Sequence, residues 1–251
     1  MGARMTADEI VSALSHSEIP TLVVEGKDDM ELFRSLESLS DVNIVPCGGK
    51  ETLLKVYERR AAFSDLPCTF LVDRDLGVFE EETSLDGLVV TKGFSIENDF
   101  LYGVDVSSFY AEGDRSYVLL FKEKLAEWWS LEVRSSREGK PTNFSRSLSS
   151  IFGEIGDSLD SARVDIAYYE EKDISYTPDE SLKEEIMRDF ELKMRGHQLL
   201  EMHKFLLKRN KNENVKRLAG ALMPACIFGK CPPLVVRLIE EIRLHVFPPK
   251  R

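Results

Sequence analysis

The 251-residue sequence predicts an α/β fold, a core with a mostly parallel sheet followed by an α-helical C-terminal lobe. Three observations carry that prediction. Over the first hundred or so residues, short apolar runs alternate with segments of helical period. Those runs are continuous rather than alternating, as strands buried on both faces require. Beyond about residue 100 the strand signals stop.

The elements follow in order. Thr6-Ala7-Asp8-Glu9 is a capping box, and Ile10, Ala13 and Leu14 give a short helix its apolar face within an N-terminal segment, 1–19. Thr21 to Glu25 is the first strand. Asp28 or Asp29 opens a helix with Leu32, Phe33, Leu36 and Leu39 on one side. Val42 to Cys47 is the second strand, Gly48-Gly49-Lys50 a turn, and Leu53, Leu54, Tyr57 and Ala61 mark the next helix. Thr69 to Asp73 and Gly87 to Thr91 complete a βαβαββ order, placing the core domain at 20–105 and a helical region at 106–251. In that region Tyr117, Phe121, Leu125 and Trp128 share a helical face, and Arg134 to Asn143 reads as a loop. Thr177-Pro178-Asp179-Glu180 is a capping box with proline at N1, and Leu182, Ile186 and Phe190 continue helically to Gly196.

Charge narrows the function. A formal net charge of −11 excludes a protein that coats nucleic acid indiscriminately, since phosphate binding needs a positive surface. Yet Leu192 to Leu218 holds eight Lys or Arg against two Glu, a local +6, which leaves −17 for the remainder. Such asymmetry predicts a phosphate-facing surface or a dock for an acidic partner, with Lys204, Lys208 and Arg209 as nucleic-acid contacts. Cys47, Cys68, Cys226 and Cys231 occur without a signal peptide or a membrane-length apolar run, so a cytoplasmic protein with reduced thiols is expected. Cys226 and Cys231 lack the second Cys/His pair of a zinc site. His197 and His203 form neither a ligand pair nor part of a triad, and Trp128-Trp129 offers either core packing or a base-stacking surface.

Chemistry is concentrated at the expected strand ends. Glu25 closes strand one, Asp73 and Asp75 close strand three, and Glu97 lies just past strand four. In a parallel sheet these ends share one edge, so the carboxylates converge. Gathered acids repel, and the usual remedy is a hard divalent cation: Mg²⁺ or Mn²⁺, with two ions for phosphodiester cleavage. Period-two alternation would send Asp73 and Asp75 to the same side and Arg74 to the other. Gly26 allows a tight turn beside the cations, Lys27 and Lys50 are the nearby phosphate contacts, and Asp28 and Asp29 read as helix caps.

The stretch "VVEGKDD", followed 48 residues after its glutamate by "VDRD", resembles the TOPRIM domain of topoisomerases, bacterial primases, ribonuclease M5 and OLD-family nucleases. With "VPCGGK" and "FSIENDF" added, residues 20–103 are similar to an OLD-like TOPRIM family that includes the effector subunit of the PARIS anti-phage system, and "RGHQLL" resembles a further family motif. The resemblance implies Glu25 as metal ligand and candidate general acid/base, Asp73 and Asp75 as ligands, and Glu97 as an additional ligand. It also implies a metal-dependent endonuclease of RNA, such as tRNA, or of DNA. Such a chain would be a toxic effector controlled by a partner ABC-type ATPase, with a homodimer as a candidate active form. No GxxxxGK[ST] motif is present, so ATP chemistry would come from another chain. Strand passage and priming are not expected, because no tyrosine-bearing domain and no zinc module are recognisable. Two alternatives stay open: a non-catalytic TOPRIM docking subunit, and a haloacid-dehalogenase-type phosphatase with Asp73 as nucleophile and Asp75 as acid, which leaves Glu25 without a role.

Overall fold

The computed structural model describes residues 5–81, 86–111, 113–153, 164, 169–171, 177, 179–214 and 231–248. Pro178, Lys216, Arg217 and Cys226 lie outside them. The chain forms two compact units, Met1–Asp99 with Cys231–Arg251, and Phe100–Lys230. The C-terminal residues therefore return to the sheet, and the region from 106 onward is not one lobe.

The first unit is α/β. Strands β1 (Thr21–Val24), β2 (Asn43–Pro46), β3 (Cys68–Val72) and β4 (Leu88–Val90) form a four-stranded, wholly parallel sheet in the order β2-β1-β3-β4. Helices α1 (Ala7–Ser15), α2 (Lys27–Arg34) and α3 (Lys50–Glu58) flank it, and α4 (Ile96–Leu101) follows β4. The capping box of α1 forms as its sequence dictates: the Glu9 N–H donates to Thr6 Oγ1 at 3.3 Å, and the Thr6 N–H donates to Glu9 Oε2 at 2.7 Å.

Strand alternation sorts the core. Val23, Phe70 and Val72 pack with Ile10, Val11 and Leu14 of α1 and with Leu53, Val56 and Tyr57 of α3. Leu22, Val24 and Leu71 point the other way, toward α2 and the C-terminal helix Pro233–Val246. That last helix starts with proline at its first turn and buries Val235, Leu238 and Ile242 completely. Each such side chain contributes about 1.5–3 kcal/mol, so this helix is a structural part of the sheet unit. Arg243 fastens it by donating to Ser38 O at 2.7 Å and to Asp41 Oδ1 at 2.9 Å.

The second unit is helical in its described parts: α5 (Arg115–Arg137), α6 (Leu148–Phe152), α7 (Glu180–Arg188), α8 (Phe190–Lys193) and α9 (Gly196–Lys208). Phe121, Leu125 and Trp128 lie on the buried face of α5 as expected. Three expectations are corrected. The helix α5 takes in Arg134 to Arg137, because nothing in "RSSR" breaks a helix; the chain turns at Gly139, whose φ of 67° suits glycine. The N-cap of α7 is Asp179, whose carboxylate accepts from the Leu182 N–H at 3.0 Å, not Thr177. The expected single helix to Gly196 breaks at Asp189 (φ −123°, ψ 43°), and the Lys193 carbonyl then accepts from the Trp129 indole N–H at 2.8 Å. Both tryptophans are fully buried, so neither offers a face to a base. Among the described residues, no helix is long and apolar enough to cross a membrane.

Candidate functional site

The strand order places a topological switch between β1 and β3. The chain leaves β1 for β2 on one side and returns to β3 on the other, opening a crevice at the carboxyl ends of the two central strands. Glu25 and Asp73 are the first residues past those ends, and Glu25 Oε1 accepts from the Asp73 N–H at 2.9 Å. Asp73 Oδ1 accepts from the Ile96 N–H at 2.9 Å, which ties the end of β3 to the start of α4. Glu97 accepts from Ser95 Oγ.

The segment from Thr91 to Asp99, which runs into α4, is tied together by hydrogen bonds beside these groups. Asn98 Oδ1 accepts from the Ser95 N–H at 3.0 Å, and the buried Asp99 carboxylate accepts from the Lys92 and Gly93 N–H groups at 3.0 and 2.7 Å. A Cβ on Gly93 would stand 2.3 Å from Asn98 Cβ, so only glycine fits there.

Asp75 departs from the alternation expected of "VDRD". β3 ends at Val72, Arg74 is helical (φ −69°, ψ −29°), and Asp75 takes φ 52° at the start of a 3-10 turn, Asp75–Phe79. Asp is among the residues that tolerate this left-handed region best, and it is the non-glycine residue found there among the described residues. The Asp75 N–H donates to Phe94 O at 2.7 Å, while Lys50 Nζ bridges the Asp75 carboxylate and the Asp73 carbonyl. Lys50 is thus engaged by the acids it stands beside, and a phosphate would have to draw it away.

From sequence, Asp29 is a helix cap, and it is one: the Gly26 N–H donates to Asp29 Oδ2 at 2.8 Å. The structure adds that the same carboxylate belongs to the acidic crevice. The findable signal was the spacing. A residue at the third helical position reaches back to the cap, and the cap here is the residue after Glu25.

Electrostatics bind the five acids together. Burial pushes the Asp73 carboxyl well above the ordinary range, and Glu25, Glu97, Asp29 and Asp75 each add to the rise. Burial also raises Glu25, against the Asp73 N–H and the Lys50 charge, which favour its ionised form. Asp29 is raised by burial and then by Glu97. Cys47, at the end of β2, is pushed up to about 12 by burial and by Glu25, so it supplies no thiolate near neutrality.

All donors in the crevice are carboxylate oxygens, a set that suits a hard divalent cation. Among the described residues, however, no group of three or more His, Cys, Asp or Glu is drawn close enough to hold one as it stands. The hydrogen bonds account for this: each carboxylate is turned toward its own protein donor rather than toward a common point.

The remaining expected contacts sit on helices or at their ends. Lys27 is exposed on the first turn of α2. Lys204, Lys208 and Arg209 belong to the helical unit. Arg209 lies 4.0 Å over the Tyr117 ring, with Nε 3.6 Å from Asp114 Oδ2, so its charge is used within that unit's own packing. No protein-family model and no curated protein matches the sequence significantly.

Proposed function

We propose that the chain is a divalent-cation-dependent endonuclease with a TOPRIM-type core, acting at the crevice between β1 and β3. One observation carries the reading. Five carboxylates stand within electrostatic reach of one another at the switch point of a parallel sheet, where burial and its neighbours push Asp73 toward its protonated form and Lys50 is the cation that offsets Glu25. A fold gains nothing from such repulsion, whereas a site that takes up a cation and then a phosphodiester does.

Glu25, Asp73 and Asp75, with Asp29 and Glu97, would hold the cation, Mg²⁺ or Mn²⁺ and on the resemblance two ions; bound there it would activate water and neutralise charge on the leaving oxygen. The chain's own residues do the rest. Glu25, whose carboxyl burial raises, is placed to take up or give a proton as general acid/base. Lys50, flexible and half-exposed, can pass from Asp75 to a phosphate oxygen. The Ile96 N–H fixes Asp73, and the bonded loop from Thr91 to Asp99 keeps it there.

The resemblance extends the proposal to a toxic effector of anti-phage defence that cuts RNA such as tRNA, or DNA, under control of an ABC-type ATPase. A phosphatase using Asp73 as nucleophile is the weaker reading, because it gives Glu25 and Asp29 no role. The test is cleavage of total RNA and plasmid DNA by wild type, Glu25→Gln and Asp73→Asn in Mg²⁺, Mn²⁺ or EDTA, with and without the ATPase. Each variant should lose at least about 10³-fold of the cutting, the scale of removing a group that stabilises the transition state directly. If neither nucleic acid is cut differently by wild type and variants, the nuclease reading fails and a docking role takes its place.

A further inference from the structure

We propose that a second site, in the helical unit, seats one nucleotide of a single-stranded nucleic acid; the proposal rests on the nuclease reading and names where its substrate strand is held. The site is a cavity of about 600 Å³ between α6 and α9, lined by Ser147, Leu148, Ser149, Lys204, Phe205 and Lys208 among others. Its size is that of a small-molecule pocket.

The lining is unusual for this chain. Lys204 and Lys208 stand one helical turn apart on α9, and neither has an ion pair or hydrogen bond among the described residues. Other cations of the same unit are committed: Lys122 to Glu191, Lys193 to Glu185, and Arg209 to Asp114. Two uncommitted lysines facing one cavity, in a protein of net charge −11, mark a local preference for anions. The cavity's carboxylate, Glu201, is already engaged, with Oε2 accepting from the Leu148 N–H at 3.0 Å and Oε1 3.6 Å from His197 Nε2.

Between the lysines lies Phe205, half-buried, with its ring fixed by two neighbours. It stacks on Tyr117 at 6.4 Å and 16°, and Phe121 meets it edge-on at 5.5 Å. Its position is therefore set before any ligand arrives. Leu148 adds apolar wall, and the Ser147 and Ser149 hydroxyls, 3.0 Å apart, add polar partners. An aromatic face flanked by two cations and a hydroxyl pair matches a base with its phosphate, the pattern by which proteins hold single strands without reading sequence. A simple anion would leave the ring unused, and an apolar ligand would leave the lysines unanswered.

The test is fluorescence anisotropy of the full chain with two probes, a fluorescein-labelled single-stranded 12-mer and a labelled adenosine diphosphate. Wild type should bind the 12-mer, and Lys204→Glu/Lys208→Glu should weaken that binding at least 30-fold at low salt. In the milder Lys204→Gln/Lys208→Gln pair, the slope of log K against log salt should shrink by about 1.4, or about 0.7 for each phosphate contact removed on a single strand. Phe205→Leu keeps an apolar side chain in the packing yet removes the aromatic face, and should cost about fivefold or more. Unchanged thermal melts of the lysine variants separate lost contact from lost fold. Wild-type failure to bind the 12-mer, or charge variants that bind it with unaltered affinity and slope, overturns the proposal. Binding of the mononucleotide alone overturns the strand and leaves a free nucleotide. If Asp73→Asn stops cleavage while the pocket variants bind normally, only the pocket is lost; if the pocket variants lose binding while Asp73→Asn still cuts, only the nuclease reading is.

Discussion

The two units surround their buried acidic groups differently, one with donors and a cation, the other with further carboxylates. In the helical unit, burial raises the nearly inaccessible Glu132, against the Asn143 N–H and the Tyr169 hydroxyl, which both donate to its carboxylate at 2.8 Å, and against the charge of Arg146. Gln198 closes the same network by donating to the carbonyls of Phe144 and Arg146 at 3.1 and 2.7 Å. In the sheet unit, burial and then neighbouring carboxylates raise Glu25, Asp29 and Asp73, with Lys50 as the opposing cation on Glu25. A carboxylate set among donors and a counter-charge specifies a fold, whereas carboxylates that repel one another at a strand-end crevice mark a place for a cation.

Opposite environments should give opposite responses to losing a carboxylate. Glu132→Ala leaves the Tyr169 hydroxyl and the Asn143 N–H without this acceptor and removes the carboxylate that faces the charge of Arg146. Breaking a buried charged network from one side costs about 3–5 kcal/mol, so denaturant unfolding should show a loss of that size. A loss under 1 kcal/mol would mean that the network is not the unit's polar anchor.

Asp73→Asn should do the reverse. The amide oxygen can still accept from the Ile96 N–H, while the charge repelled by Glu25, Glu97, Asp29 and Asp75 is gone. The melting temperature should rise by a few degrees, at roughly 2–4 °C for each kcal/mol recovered in a chain of this length. A variant that is inactive and also less stable would show that Asp73 supports the fold rather than a reaction, and the contrast between the units would collapse.

The sheet unit was the more legible from sequence. Its strands are apolar runs, two of which, β1 and β3, lead into acids, and a parallel sheet sends such ends to one edge whatever the strand order. Glu25, Asp73 and Asp75 followed from that. Asp29 did not, because capping explained it fully, and the conformation of Asp75 depends on the Phe94 carbonyl and Lys50, both distant in sequence. The C-terminal helix was misgrouped for a similar reason: its apolar face is visible in the sequence, but which surface it covers is a long-range property. In the helical unit the basic run pointed to Lys204 and Lys208, and the cavity beside them depends on α6, more than fifty residues earlier in the chain. Arg209 looked equivalent to them and is not, because Asp114 and Tyr117 claim it.

The smallest effect, and the most specific, is in the pH dependence. Below the ordinary carboxylate values of 3.8 and 4.5, folded and unfolded chains both hold the protons of Glu25, Asp29 and Asp73. As pH rises, the unfolded chain releases them first, because the folded values are raised, so their contribution to stability falls until the folded groups have ionised too. Asp99 and Glu132 are raised in the same direction, but they are unchanged in Asp73→Asn, so the difference between wild-type and variant curves isolates the crevice. That difference should grow in the variant's favour as pH rises from about 4. Millimolar Mg²⁺ should then shrink or reverse it, since a ligand at ten times its Kd stabilises the state that binds it by about 1.4 kcal/mol. Equal shifts of both melts by Mg²⁺ would mean that the cation binds elsewhere, and that the five acids repel one another without a purpose the cation explains.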